Sequence, residues 1–349
     1  MLNLFKNRNY IGLDVGTHAV KVVQLKEKGE DLILANLAFL ELPPEVEEES
    51  DPEARDARVA AAVKQLLREN EIRPKNIVTS LSGDETIVRY VKLPHMSNEE
   101  LKNVINYEAE QYIPLSIDQV VLDFAVLGEI EEDGQKKIEV LLVAAKEELV
   151  ERHLALLRKA GVAPAAIDVD AFALANACER NYGRLEGETV SLIHLGDKLT
   201  TIAVMEDGVS HLTRDVAVAG QSFTREIQQE FDLSAAEAET LKREQGQAPL
   251  EIEDIIQLDV PNQEDKSARI SEAITPVLNK LLAEIRRSFD YYESSIRRKP
   301  ISRILLSGGA SRLRNLDKYL TEQLALPVEA NDPFKTVTIP EGRFDPEFL

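Results

Sequence analysis

The feature that most constrains this chain is a repeat. Two short apolar runs, Tyr10 to Asp14 and Val20 to Leu25, lie on either side of the turn Val15-Gly16-Thr17-His18. Half a chain later, Thr189 to Leu195 and Leu199 to Met205 lie on either side of Gly196-Asp197-Lys198. The two stretches align without a gap through this turn: Asp14, Gly16 and Val22 match His194, Gly196 and Ile202. Each continues into a third apolar run, Leu32 to Leu40 in the first copy and Val209 to Thr213 in the second, so each reads as a three-strand meander. A self-match at this distance implies one supersecondary unit used twice. Two such units facing each other enclose a cleft with equivalent turns on its two sides, a usual place for a ligand.

The length agrees with two lobes, because 349 residues exceed what one core normally serves. Hydrophobic residues make up 44% of the chain, an ordinary globular share, so each lobe can bury a core. Acidic residues outnumber basic ones by 62 to 41, a net charge of -21. That field repels a duplex or a bare anionic membrane, which sets nucleic acid aside as a partner. Cys178 is the single cysteine. It can form no internal disulfide, which suits a reducing compartment, and its apolar run from Phe172 marks it as a small core residue. The five histidines show no zinc-ligand spacing. No stretch reaches the roughly 18 apolar residues of a membrane span. Met1 to Asn9 is too poor in apolar residues for a signal peptide and reads as a frayed terminus.

Between the meanders the pattern changes. Leu42 to Glu53 reads as a solvated loop. Ala54 to Asn70 reads as an amphipathic helix with Ala57, Ala60, Ala61, Val63, Leu66 and Leu67 on its buried side, and Asn76 to Leu81 as a strand. A block over 86–162 then resembles a small α+β unit inserted into the first lobe. It has a strand from Thr86 to Leu93, a helix opened by a Ser97–Glu100 capping box and running to about Ile113, two strands over Val120 to Leu127 and Lys137 to Ala145, and a helix from Glu147 to Ala160 closed by Gly161. Residues 1–85 form the first part of the first lobe, and 163–188 return to it. The second lobe spans 189–332. It holds helices from about Gln221 to Phe231 and Ser234 to Gln245, an acidic excursion over 246–265, and a long helix from about Ser267 to Arg298. Pro276 should kink that helix or mark its true start. A strand from Ser302 to Leu306, a helix to about Leu324 and a tail over 333–349 complete the chain. The expected fold is α/β, a duplicated two-lobe architecture with an inserted α+β subdomain.

The turn chemistry suits phosphate. Glycine lets backbone approach a bulky anion, and turn N–H groups can point at its oxygens. Thr17, Ala19 and Lys21 share a face of an extended strand, which makes Lys21 a candidate point charge on a phosphate. A carboxylate such as Asp14 can hold Mg²⁺ through water. A strand-Asp-x-Gly turn is also common in plain structural hairpins, and the repeat is what lifts it above that reading.

Five motifs in order then resemble the superfamily of actin, the heat-shock chaperones and the sugar kinases, whose lobes are ribonuclease H-like. Asp14-Val15-Gly16-Thr17 with Lys21 resembles its first phosphate motif, and Ile193-His194-Leu195-Gly196-Asp197 its second. Ala219-Gly220 resembles the connecting motif. Ala238-Glu239-Thr240-Leu241-Lys242 resembles the helix that lines ribose and base, and Leu305 to Ser311, with Gly308 and Gly309, the adenosine motif. Within the superfamily the chain resembles the PilM family of type IV pilus assembly proteins, related to FtsA. The carrying segments are Ile11 to Gly16, Tyr107 to Pro114 and Arg286 to Tyr292, together with the position of the insertion.

This resemblance implies a cytoplasmic ATP-binding scaffold, peripheral to the inner membrane through its partners. Those partners are the N-terminal cytoplasmic tail of PilN and other inner-membrane pilus proteins, with self-association left open. It implies ATP and Mg as cofactors and Asp14, Gly16, Thr17, Lys21, Gly196, Asp197, Gly220, Glu239, Lys242, Gly308 and Gly309 as the nucleotide site. One position departs from the pattern. The second phosphate motif normally carries an aspartate where this chain has His194, and a neutral imidazole cannot replace that charge. The expectation is therefore bound nucleotide with slow or absent hydrolysis. Asp197 as a compensating acid, Lys198 as a phosphate-neutralising base and both as plain turn residues stay open. Glu239 with Lys242 also reads as an ordinary surface pair, and the basic cluster Arg286, Arg287, Arg297, Arg298, Lys299 and Arg303 as a solvated helix face. The rival functions are an ATP-dependent small-molecule kinase of the same superfamily and a nucleotide-free relative of the type II secretion L protein.

Overall fold

The computed structural model describes residues 10–345 except 30, 48, 84–85, 251–265 and 297–298. The expected frayed start, most of the acidic excursion, and Arg297 and Arg298 lie outside the described residues.

β1 (Ile11–Val15), β2 (Ala19–Lys28) and β3 (Asp31–Glu41) form the first meander. A short helix, α1 (Pro44–Glu47), follows, then α2 (Pro52–Glu69), whose cap Asp51 accepts from the Glu53 amide. Leu42 and Val46 are buried in the lobe's core, so the expected solvated loop is tacked down by its two aliphatic side chains. α2 buries Val59, Ala60, Ala62, Val63, Leu66 and Leu67. Ala57 and Ala61 are exposed instead, because the buried stripe follows the larger aliphatics. β4 (Ile77–Leu81) pairs parallel with β1.

β5 (Thr86–Pro94), α3 (Asn98–Ala109), β6 (Val120–Glu132) and β7 (Gln135–Lys146) build a separate antiparallel sheet in the order β5-β7-β6. Ile138, Val140, Leu142 and Ala144 of β7 form its core with Leu101, Ile105 and Ala109 of α3. The Ser97–Glu100 capping box is present. The helix stops at Ala109 rather than near Ile113, and the chain turns there to bury Ile113 ahead of Pro114.

The next helix, α4 (Glu147–Lys159), does not belong to that sheet. Its Leu156 and Leu157 share a core with Ile11, Leu13, Val63 and Leu66, and Arg152 pairs through two nitrogens with Asp56 of α2. The inserted sheet itself ends at Lys146, and α4 packs on the core of the first lobe. β8 (Pro164–Val169) joins the first sheet in the order β3-β2-β1-β4-β8. α5 (Asp170–Tyr182) crosses to the second lobe, where Ala175 and Cys178 pack against Val190, Leu192, Ala203, Met205 and Leu305. Cys178 is a core residue as expected, and burial pushes its thiol up to about 11.

β9 (Thr189–Leu195), β10 (Thr200–Glu206) and β11 (Val209–Val216) form the second meander. α6 (Gly220–Phe231), α7 (Ala235–Gln245), α8 (Lys266–Ile296), β12 (Arg303–Ser307), α9 (Leu316–Leu324) and β13 (Val328–Ala330) follow. The sheet order is β11-β10-β9-β12-β13. Phe223, Ile227, Ile274, Leu278, Leu281 and Ile285 cover the face opposite α5. α8 runs on both sides of Pro276, so the proline does not mark its start; Ile270 and Ile274, just before it, are fully buried and hold those first turns in place. β14 (Val337–Thr338) returns the tail to β3. Asn181 holds that tail by donating to the Pro333 carbonyl at 2.9 Å and accepting from the Thr336 amide at 3.0 Å.

Candidate functional site

The two hairpin turns are built alike. The Gly16 amide donates to the Ala19 carbonyl at 3.1 Å, and the Gly196 amide donates to the Leu199 carbonyl at 3.0 Å. A Cβ on either glycine would stand 2.9 or 2.8 Å from that same oxygen, so only glycine closes the turn this tightly. The turns also meet. Thr17 Oγ1 donates to Asp197 Oδ2 at 2.8 Å, joining equivalent positions of the two lobes.

The side chains beside the turns differ. In the first hairpin Asp14 faces Lys21 across the strand pair, and Lys21 Nζ donates to Asp14 Oδ2 at 2.8 Å. Both side chains are about half exposed. In the second hairpin the same pair is His194 and Thr201. His194 Nδ1 lies 3.1 Å from Ser307 Oγ, and Thr201 Oγ1 donates to Asp215 Oδ1 at 2.6 Å. Burial lowers the His194 pKa and the charge of Lys21 lowers it further, against the opposing pull of Asp14, Asp170 and Asp215. The imidazole is therefore neutral at pH 7.

The connecting and adenosine segments close in behind the second turn. The Gly220 amide donates to the Gly196 carbonyl at 2.9 Å, and the Gln221 amide donates to the Asp197 carbonyl at 2.7 Å. A Cβ on Gly220 would lie 3.0 Å from the Gly196 oxygen and 3.2 Å from Ala310 Cβ. Gly308 has φ +96°, and a Cβ there would lie 2.3 Å from the Leu195 oxygen; Gly309 has open space. Lys242 Nζ donates to Glu239 Oε2 at 2.6 Å, to Thr224 Oγ1 at 2.8 Å and to the Gly220 carbonyl at 3.2 Å. Burial alone would raise the Glu239 pKa. The Lys242 ammonium and hydrogen bonds from Lys242, Thr224 and Arg243 outweigh it and hold the carboxyl at about 2. Glu239 and Lys242 are thus a partly buried group tied to α6, not a free surface pair.

Contacts between Thr17 and Asp197, Gly196 and Gly220, Gly220 and Lys242, and Lys242 and Glu239 link six of the eleven candidate residues across the two lobes. Asp14 and Lys21 pair with each other on the hairpin that carries Gly16 and Thr17, Gly308 abuts the Leu195 backbone ahead of the second turn, and Gly309 faces open space. The Gly16, Gly196, Gly220 and Gln221 amides are spent within the chain, so what these turns can offer a nucleotide's phosphates is close backbone approach at the glycines and the half-exposed Lys21 ammonium. The site fits Mg²⁺ only loosely. Among the described residues no group of three or more His, Cys, Asp or Glu is placed to hold a metal, so Asp14 would share the ion with phosphate oxygens and water.

Sequence reasoning missed Asp170 and Asp215. Asp170 opens α5 at the end of β8, and Asp215 lies near the end of β11. Asp215 Oδ2 also accepts from the Gly83 amide at 2.8 Å, which ties the second lobe to the segment entering the inserted sheet. Both carboxylates act on the His194 imidazole, and their position near carboxyl ends of strands is a usable signal. The four described members of the basic cluster are engaged within the chain: Arg286 donates to the Gln323 carbonyl, Arg287 pairs with Glu284, Lys299 with Asp207 and Arg303 with Glu188 and Glu329.

A family model described as type IV pilus assembly protein PilM matches residues 12–347. The chain belongs to the PilM family. A solved PilM-PilN type IV pilus biogenesis complex is similar over 98% of this chain and 94% of that chain, with TM-score 0.81 and 29% identity. MreB 5 of Spiroplasma citri, bound to AMPPNP, is similar over 93% of this chain and 92% of its own, with TM-score 0.52 and 14% identity, which shows the actin-like fold alone. The cell division protein FtsA of Bacillus subtilis (strain 168) is 28% identical over 166 residues, 43% of this chain. That match spans 36% of FtsA, about a third of its length. The PilM-family chain has no helix among its described residues long and apolar enough to cross a membrane.

Proposed function

We propose that this PilM-family protein is a cytoplasmic scaffold of type IV pilus assembly that holds ATP between its lobes and captures the N-terminal tail of PilN. The observation that carries the nucleotide reading is the meeting of two related glycine turns, one from each lobe, beside the Asp14–Lys21 pair. When bound, the nucleotide supplies triphosphate oxygens that draw both turns onto one ligand. The Gly16 and Gly196 turns give those oxygens close backbone approach, and Lys21 gives them a positive charge. Gly220 and the Glu239–Lys242 group form the wall for ribose and base, and Gly308 and Gly309 its floor.

Hydrolysis is slow in this reading because His194, neutral and hydrogen-bonded to Ser307, stands where an acid would help position Mg²⁺ and water. The partner half of the reading is supported by the likeness to the PilM-PilN complex over nearly the whole chain. In this reading PilN holds the protein at the inner face of the inner membrane. Calorimetric titration with a synthetic PilN N-terminal peptide, with and without Mg-ATP, tests it. Saturable heat from the peptide is expected, and no heat at high micromolar peptide in either condition overturns the partner.

A further inference from the structure

Arg243 lies one residue beyond the Glu239–Lys242 motif and engages three partners. Its Nε donates to Glu239 Oε1 at 3.1 Å, its Nη1 to Glu41 Oε1 at 2.9 Å and its Nη2 to His18 Nε2 at 2.7 Å. Arginine only donates, so His18 accepts through Nε2. The partners come from two lobes. His18 follows Thr17 in the first turn, Glu41 ends β3, and Glu239 lies on α7. Glu239 in turn gives its other oxygen to Lys242 and Thr224. One guanidinium thus binds the first lobe with two nitrogens and orients the candidate ribose-side acid with the third. The fixed planar fork of arginine makes this possible, and lysine's point charge would not reproduce it.

We infer that Arg243 is a clasp across the mouth of the cleft. It closes the lobes over a bound nucleoside di- or triphosphate and positions Glu239 against it, so the nucleotide leaves only when Arg243 releases Glu41 and His18. The inference rests on the nucleotide reading above. Opening the lobes must separate Arg243 from both first-lobe partners, whereas a ligand held by the closed lobes keeps them together. The side chains of Arg243 and Glu41 are each about half exposed, so their pairing adds little to folding stability. Its effect belongs in a rate of release.

Stopped-flow release of a fluorescent ATP analogue from the intact protein tests this, using wild type, Glu41→Gln, Arg243→Lys, Arg243→Ala and the Glu41→Gln/Arg243→Ala double variant. Glu41→Gln should release nucleotide about fivefold faster and Arg243→Ala about tenfold faster, as loss of one and of three charge-assisted contacts implies. Arg243→Lys should fall between wild type and Arg243→Ala. The double variant should be no faster than Arg243→Ala alone, since both changes break one shared contact. Unchanged release in Glu41→Gln, or effects that simply multiply, overturns the clasp while leaving nucleotide binding intact. No binding by wild type overturns the nucleotide reading, and the clasp with it.

Discussion

Across the first hairpin Asp14 faces Lys21; across the second His194 faces Thr201. The backbone of the two is nearly the same, down to the glycine amide that closes each turn at 3.1 and 3.0 Å. The charge is not the same. The first pair is an exposed carboxylate and ammonium, whereas the second is neutral and set behind Ser307 and Asp215. A duplicated unit has kept on both sides the geometry that brings the lobes together, and on one side only the charges suited to an anion. The packing behind the turns follows the same division. Gly308 and Gly220 lie close against the backbone of the second turn, and a side chain at either would displace it.

Three changes would break or sharpen that contrast. The largest effect is expected from Gly308→Ala. Its φ of +96° and the 2.3 Å approach to the Leu195 oxygen should cost about 3 kcal/mol or more of stability, read as a lower denaturant midpoint. Gly309→Ala, in open space, should stay within about 0.5 kcal/mol. Equal losses would mean that the second turn is not shaped from behind.

His194→Asp restores the missing charge and should raise the rate of phosphate release from ATP about tenfold, roughly 1.4 kcal/mol of barrier. An unchanged rate would show that this position does not limit hydrolysis.

The smallest effect is on pH dependence. His194 is lowered from 6.5 by burial, so the unfolded chain binds its proton first as the solution is acidified. The stability due to the neutral imidazole is complete above about pH 6.5 and is lost as pH falls toward the folded-state value. His153, also lowered by burial and 3.1 Å from Thr79 Oγ1, adds a slope of the same sign. His194→Gln should flatten the curve in that window without abolishing it. A curve as steep as wild type would place the imidazole in contact with water.

Much of this molecule is legible in its sequence where the signal is local. The two meanders, the Ser97 capping box and the Gly16 and Gly196 turns each depend on residues a few positions apart. Four of the five motifs lie at the end of a strand or the start of a helix, where glycine and turn residues announce themselves, whereas Ala238 to Lys242 lies inside α7. Partners distant in sequence are not legible. The α4 pattern shows that one face is buried, but its partner, α2 rather than the inserted sheet, depends on the Arg152–Asp56 pair and on Leu157 reaching the first core. Arg243 meets Glu41 and His18 across 202 and 225 positions, and nothing in its own surroundings announces either contact. Leu42 and Val46 are hidden by the acidic residues around them, although these two aliphatics suffice to anchor the segment to the first core.

The central claim is that the two turns share one ligand and that only the first supplies its charge. Calorimetric titration of Mg-ATP into wild type, Lys21→Ala and Thr201→Val tests it most directly. The account predicts binding by wild type, a loss of affinity of about 100-fold in Lys21→Ala and a change of less than about threefold in Thr201→Val. Wild-type affinity in Lys21→Ala, or equal losses at Lys21 and Thr201, would contradict it.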